Sequence, residues 1–141
     1  VLQYECHEQL QRWVKELNYF YKTEPALYEN DFDNKGFEWI DCSDWERGII
    51  SFMRKDNFGK NSVLVVCNFT PVPHNNYKIG VPLGGFWKEA LNSDAKEYGG
   101  SGQGNLGGLE SSPLPSQEKQ YSLSLTIPPL AVLFFKQEKT V

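Results

Sequence analysis

The sequence predicts an all-β fold: an antiparallel β-sandwich of Greek-key type, preceded by one amphipathic helix. Three observations carry this expectation. A helical hydrophobic period is confined to the first 22 or so residues. After the turn signal Asp33-Asn34-Lys35-Gly36 the period changes to two. Seven short apolar segments then follow, separated by Gly, Pro, Asn and Ser.

The helix comes first. Leu10, Trp13, Val14, Leu17 and Tyr21 recur at helical spacing and make one apolar stripe. Gln11, Arg12, Lys15, Glu16 and Lys22 form the polar face. Pro25 disfavours helical geometry at Glu24, so the helix is expected to stop near Lys22, with one further turn at Ala26–Tyr28. A lone helix cannot bury such a stripe. The helical pattern starts almost at Val1, which suggests a piece of a longer polypeptide.

Strands are expected at about 37–42, 49–54, 62–69, 77–81, 86–92, 121–127 and 130–136. Tyr121, Leu123, Leu125 and Ile127 alternate with Ser122, Ser124 and Thr126, the pattern of a half-buried strand. Val63 to Cys67 is apolar on both faces and should be central. Asp56-Asn57-Phe58-Gly59 reads as a hairpin loop. Pro128-Pro129 separates the last two strands, because proline cannot donate to a ladder. The stretch from Asn92 to Tyr121 is rich in Gly, Ser and Pro and reads as a long loop.

Composition narrows the function classes. The 141 residues suffice for one core, and 40% hydrophobic content is too high for a disordered chain. A net charge of -4 without a basic cluster argues against nucleic acid. No apolar run approaches the roughly 18 residues of a membrane span. Cys6, Cys42 and Cys67 are odd in number and not closely spaced, which points to a reducing, cytoplasmic setting.

Several motif matches fail on context. Gly102-Gln103-Gly104-Asn105-Leu106-Gly107 fits G-x-G-x-x-G, but no helix pattern follows it. Asp31 to Gly36 resembles the start of a calcium loop, yet Lys35 and Cys42 occupy ligand positions. Asn68-Phe69-Thr70 matches a glycosylation sequon, but it ends a buried strand. His7 and His74 have no partners at metal-ligand spacing, so neither metal nor cofactor is expected. Glu38, Asp41, Asp44, Glu46, Glu89, Asp94 and Glu97 are read as solvated surface charge. Among the aromatics, Trp45 and Tyr98 fall in expected loops, where a ring could lie against the C–H face of a sugar. Trp39 and Trp87 fall in strands and are expected in the core.

Several stretches, taken in order, resemble one family. They are Leu17-Asn18 through Leu27, Gly36-Phe37-Glu38-Trp39-Ile40, Val66 to Pro73, Ile79-Gly80-Val81-Pro82, Leu91-Asn92-Ser93-Asp94, Tyr98 to Gly102, and Leu125 to Ala131. The set is similar to the C-terminal region of bacterial glycogen branching enzymes, within the α-amylase superfamily. The resemblance implies a (β/α)₈ barrel followed by a β-sandwich. It also implies a whole enzyme that moves an α-1,4 glucan segment to a 6-hydroxyl by retaining double displacement. Residues 1–35 would then be the last barrel helix with its linker, and 36–141 the sandwich. The catalytic carboxylates of such enzymes lie at barrel strand ends. No position here matches their motifs, so no catalytic residue is carried over.

The expected partner is the barrel. Leu10, Trp13, Val14 and Leu17 should pack largely against it, or otherwise fold back on the sandwich or mediate self-association. Two functions follow: a structural domain inert alone, or an auxiliary α-glucan-binding module contacting sugar through Trp45 and Tyr98.

Overall fold

The computed structural model describes residues 4–29, 36–44, 46–56 and 62–137. Two helices lead: α1 (Glu5–Thr23) and α2 (Pro25–Tyr28). Eight strands follow: β1 (Phe37–Asp41), β2 (Ile49–Lys55), β3 (Ser62–Asn68), β4 (His74–Val81), β5 (Phe86–Asn92), β6 (Gly108–Glu110), β7 (Tyr121–Ile127) and β8 (Val132–Gln137). α1 stops where its sequence requires, with Glu24 in extended conformation before Pro25.

The strands form two antiparallel sheets, ordered β1-β2-β3-β8-β5-β6 and β4-β7. β3 is central, as its two-sided apolar run requires, between β2 and β8. The chain crosses between sheets at β3–β4, β4–β5, β6–β7 and β7–β8, in Greek-key manner. The core lies between the sheets. Ile49, Met53, Leu64, Val66, Trp87, Leu133 and Phe135 of the larger sheet meet Tyr77, Ile79, Val81, Leu123, Leu125 and Ile127 of the smaller one, all buried. Trp87 is fully enclosed, and its indole N–H donates to the Leu83 carbonyl at 3.2 Å.

Two segments differ from the expected pattern. β4 starts at His74, three residues early, through a register break that places Asn76 at φ 56. β6 lies inside the expected loop and pairs with β5. The rest of that loop is tied down by side chains. Asp94 accepts from the backbone N–H of Ser101 at 3.1 Å and of Gln103 at 3.3 Å. A Cβ on Gly100 would stand 2.1 Å from the Asp94 carbonyl oxygen, so only glycine allows the turn to close. Asn105 accepts from Thr126 N–H at 2.8 Å and donates to Glu89 at 2.8 Å, binding the loop to both sheets. The G-x-G-x-x-G match therefore belongs to a turn that enters a strand.

Two expectations on the carboxylates and aromatics need correction. Trp39 is 53% exposed, not core: on β1 the alternation sends Ile40 inward and the indole outward. Five carboxylates are bound into the fold instead of merely solvated: Asp94 and Glu89 as above, Glu38 in ion pairs with Lys55 and Lys119, Asp44 accepting from the Tyr77 hydroxyl, and Asp41 accepting from the Ser43 N–H at 2.9 Å and from Gln117 at 3.1 Å. The hydrogen bonds from Lys119 and then Lys55 hold the Glu38 carboxyl below its ordinary value. Burial first, and then the bond to Asp44, push the Tyr77 phenol well above its own.

Candidate functional site: the outer face of the larger sheet

Apolar side chains cover both sides of the larger sheet. On the side away from the sandwich interior, Val63 and Val65 of β3 form a second buried cluster with Ala26 and Leu27 of α2. Phe20, Phe52, Cys67, Val132 and Phe134 pack around it. Burial raises the Cys67 thiol above its ordinary value.

The helices are fastened there by polar contacts as well. Glu24 is 3% exposed; its carboxylate accepts from the Ala26 backbone N–H at 3.5 Å, capping α2, and pairs with Lys136 of β8 at 2.5 Å. Arg54 of β2 donates to the Leu27 carbonyl at 3.0 Å, satisfying a carbonyl at the far end of that short helix. One charge on each flanking strand thus fixes α2 on β2, β3 and β8.

α1 divides its apolar surface between two directions. Trp13 meets Tyr98 edge-on, with centroids 5.0 Å apart at 69°. Phe20 meets Phe134 in the same way at 5.8 Å. Gln9 donates to the Lys96 carbonyl at 3.4 Å. Leu10 and Val14, 60% and 47% exposed, face away. The expected stripe is therefore split. Trp13 folds back on the sandwich, Leu17 is half-buried at the boundary, and Leu10 and Val14 form a bare outer ridge. A groove of about 850 Å³ runs between α1 and strands β5 and β8, lined by Tyr19, Phe20, Lys88, Leu91 and Lys136 among others.

Of the two expected sugar contacts, Trp45 lies outside the described residues. Tyr98 ends a 3-10 turn, Lys96–Tyr98, and borders a cleft of about 330 Å³ with Glu89, Asn92, Lys96 and Leu106. One edge of its ring environment is already taken by Trp13. His7 lies exposed in the first turn of α1 and His74 opens β4. Among the described residues no three His, Cys, Asp or Glu side chains converge on a metal position, and no helix is long and apolar enough to cross a membrane. Sequence reasoning missed the outer face itself. Its signal was the β3 run, apolar on both sides, which requires a cover on both.

This arrangement of a two-sheet antiparallel sandwich with helices on its outer side matches a known class. Residues 39–138 match the model of the alpha amylase C-terminal all-beta domain. The chain belongs to that family. It is 56% identical over 138 residues to the 1,4-alpha-glucan branching enzyme GlgB of Aquifex aeolicus, covering 98% of this chain and 22% of that protein. It is 54% identical over 143 residues to GlgB of Thermosynechococcus vestitus, covering 100% and 19%. The GlgB of Aromatoleum aromaticum is 56% identical over 132 residues, covering 94% and 21%. The chain thus spans about a fifth of the length of these relatives.

Proposed function

We propose that this chain is the C-terminal scaffold domain of a cytoplasmic 1,4-α-glucan branching enzyme. In this reading residues 1–35 belong to the last helix of the catalytic barrel and its linker, and 36–141 form the sandwich that braces it. The whole enzyme transfers an α-1,4 glucan segment to a 6-hydroxyl in glycogen synthesis. The isolated chain lacks the barrel carboxylates and is inert.

One observation carries the reading. α1 precedes the family match, which begins at residue 39, yet it is bolted to the sandwich on one side and bare at Leu10 and Val14 on the other. A helix with two apolar sides is a joint between two bodies. A chimaera tests this: the Aquifex aeolicus enzyme with its matching region replaced by this chain. It should retain branching activity, and Leu10→Ser with Val14→Ser should shorten its survival on heating. Loss of all activity in the unaltered chimaera, or activity in the pure chain, would refute the reading. Pairing of two chains through the Leu10 and Val14 ridge is the state expected of the isolated chain, measured by light scattering.

A second reading is an auxiliary contact with α-glucan. The cleft beside Tyr98, with Glu89, Asn92 and Lys96 on its walls, favours it. Titration of maltoheptaose against the tryptophan fluorescence of Tyr98→Ala and unaltered chains distinguishes the two: only a sugar site gives saturable change that the substitution removes.

A further inference from the structure

The outer face of the larger sheet is covered unevenly. α2 shields Val63 and Val65. Toward the β1 edge, three aromatic rings stand together, and among the described residues no helix lies over them as α2 does over Val63 and Val65. Phe37 stacks on Phe52 at 5.0 Å and 27°, and Trp39 meets the two edge-on at 4.9 and 5.9 Å. Strand register fixes them, since Trp39 sits opposite Phe52 in the β1–β2 ladder. The rings are held rigidly, yet half the Trp39 side chain is open to solvent. Large, pre-ordered aromatics with exposed area are the residues that dominate contact energies between proteins.

We infer that the Phe37/Trp39/Phe52 cluster is a second anchor for the catalytic part of the longer enzyme, beside the α1 ridge; this rests on the scaffold reading above. Three observations select that occupant. The cluster continues an existing interface, because Phe52 also packs against the Ala26/Leu27 group of α2. Those helices precede the family match and already occupy the neighbouring half of the same face. In the relatives, roughly four-fifths of the polypeptide lies outside the matched region.

The chemistry of the patch favours an apolar protein surface over a sugar. By strand alternation the β2 residues on this face are Ile50, Phe52 and Arg54, and the Arg54 guanidinium is already engaged with the Leu27 carbonyl at 3.0 Å. A glucan needs free hydroxyl partners around the ring. Trp39 also borders a polar groove along the β1 edge, but four of its polar groups already bond one another: Glu38 with Lys119, and Gln117 donating to Asp41 at 3.1 Å.

Hydroxyl-radical labelling read by mass spectrometry tests the inference on the chain alone and in the Aquifex chimaera. Labelling of Trp39 should fall several-fold in the chimaera. Trp39→Ser should hasten heat inactivation of the chimaera well beyond the modest loss it causes in the isolated chain, where it gives up the contacts with Phe37 and Phe52, and Trp39→Phe should restore most of the difference. Equal labelling in both proteins overturns the inference; if Leu10→Ser with Val14→Ser still weakens the chimaera, the scaffold reading survives. A dimer of the isolated chain that Trp39→Ser abolishes, or protection of Trp39 by maltoheptaose, assigns the patch to another occupant and overturns it equally. Should Trp39→Ser unfold the isolated chain, the labelling comparison, made on unaltered protein, decides.

Discussion

The two faces of the larger sheet are built from similar side chains but are finished differently. Inward, Leu64, Val66, Leu133, Phe135 and Trp87 are closed off by the β4-β7 sheet, and none retains more than trace exposure. Outward, Val63 and Val65 are equally buried under α2, while Trp39 on the same face is half open. The inner face holds the larger of the two buried clusters. Among the described residues the outer face is a partial closure, sealed over Val63 and Val65 by α2 and open at Trp39. An apolar sheet face left unfinished marks a surface made to meet another body.

Substitutions should separate the faces by size of effect. Phe135→Ala opens a cavity in the sealed interior and should cost about 3–5 kcal/mol, read from urea unfolding. A cost similar to that of an exposed site would mean that the interior is not the stabilising face. Glu24→Ala removes the α2 cap and strands Lys136, which is partly exposed and can rehydrate; about 1–2 kcal/mol is expected from the same measurement. Trp13→Ala should cost about 1 kcal/mol by losing the Tyr98 contact. Its sharper signature is local: amide exchange along α1 should accelerate while β3 stays protected.

Acid probes the edge where Glu38 ties β1 to β2 and to the loop carrying Lys119. Its folded carboxyl titrates below the ordinary value of 4.5, so between the two values the unfolded chain binds more protons. This contribution is present above about pH 4.5 and is lost as pH falls through the folded value. Glu38→Gln should flatten that acid limb of the stability curve slightly, since the pair is partly solvated. Smallest of all, Leu10→Ser should change the unfolding of the isolated chain by less than about 0.5 kcal/mol when measured at dilutions where light scattering shows a monomer. A large loss there would mean that the outer ridge is already covered within this chain.

Most of the architecture was legible in the sequence because period and punctuation are local. Phe86–Asn92 and Tyr121–Ile127 appear with the expected bounds, and β3 is central because its apolar run leaves no other place for it. β6 was not legible. Gly108-Leu109-Glu110 is three residues long and is held as a strand by its ladder with Phe86–Lys88, not by propensity. His74 and Asn75 look like loop residues and join β4 only through the irregular geometry at Asn76. Trp39 was misjudged because strand alternation gives two faces without saying which is outside. The split of the α1 stripe was equally hidden, since helical spacing groups Trp13 with Leu10 and Val14 while tertiary packing turns only Trp13 toward Tyr98.

The position of β8 has a consequence for biosynthesis. It is the last of the eight strands to leave the ribosome, yet it lies in mid-sheet, pairing with β3 on one side and β5 on the other. Until it emerges, the nascent polypeptide holds two half-sheets with open hydrogen-bonding edges and nothing to join them. Removing Val132–Gln137 would leave the facing edges of β3 and β5 unpaired, so the larger sheet closes only when its last strand is in place.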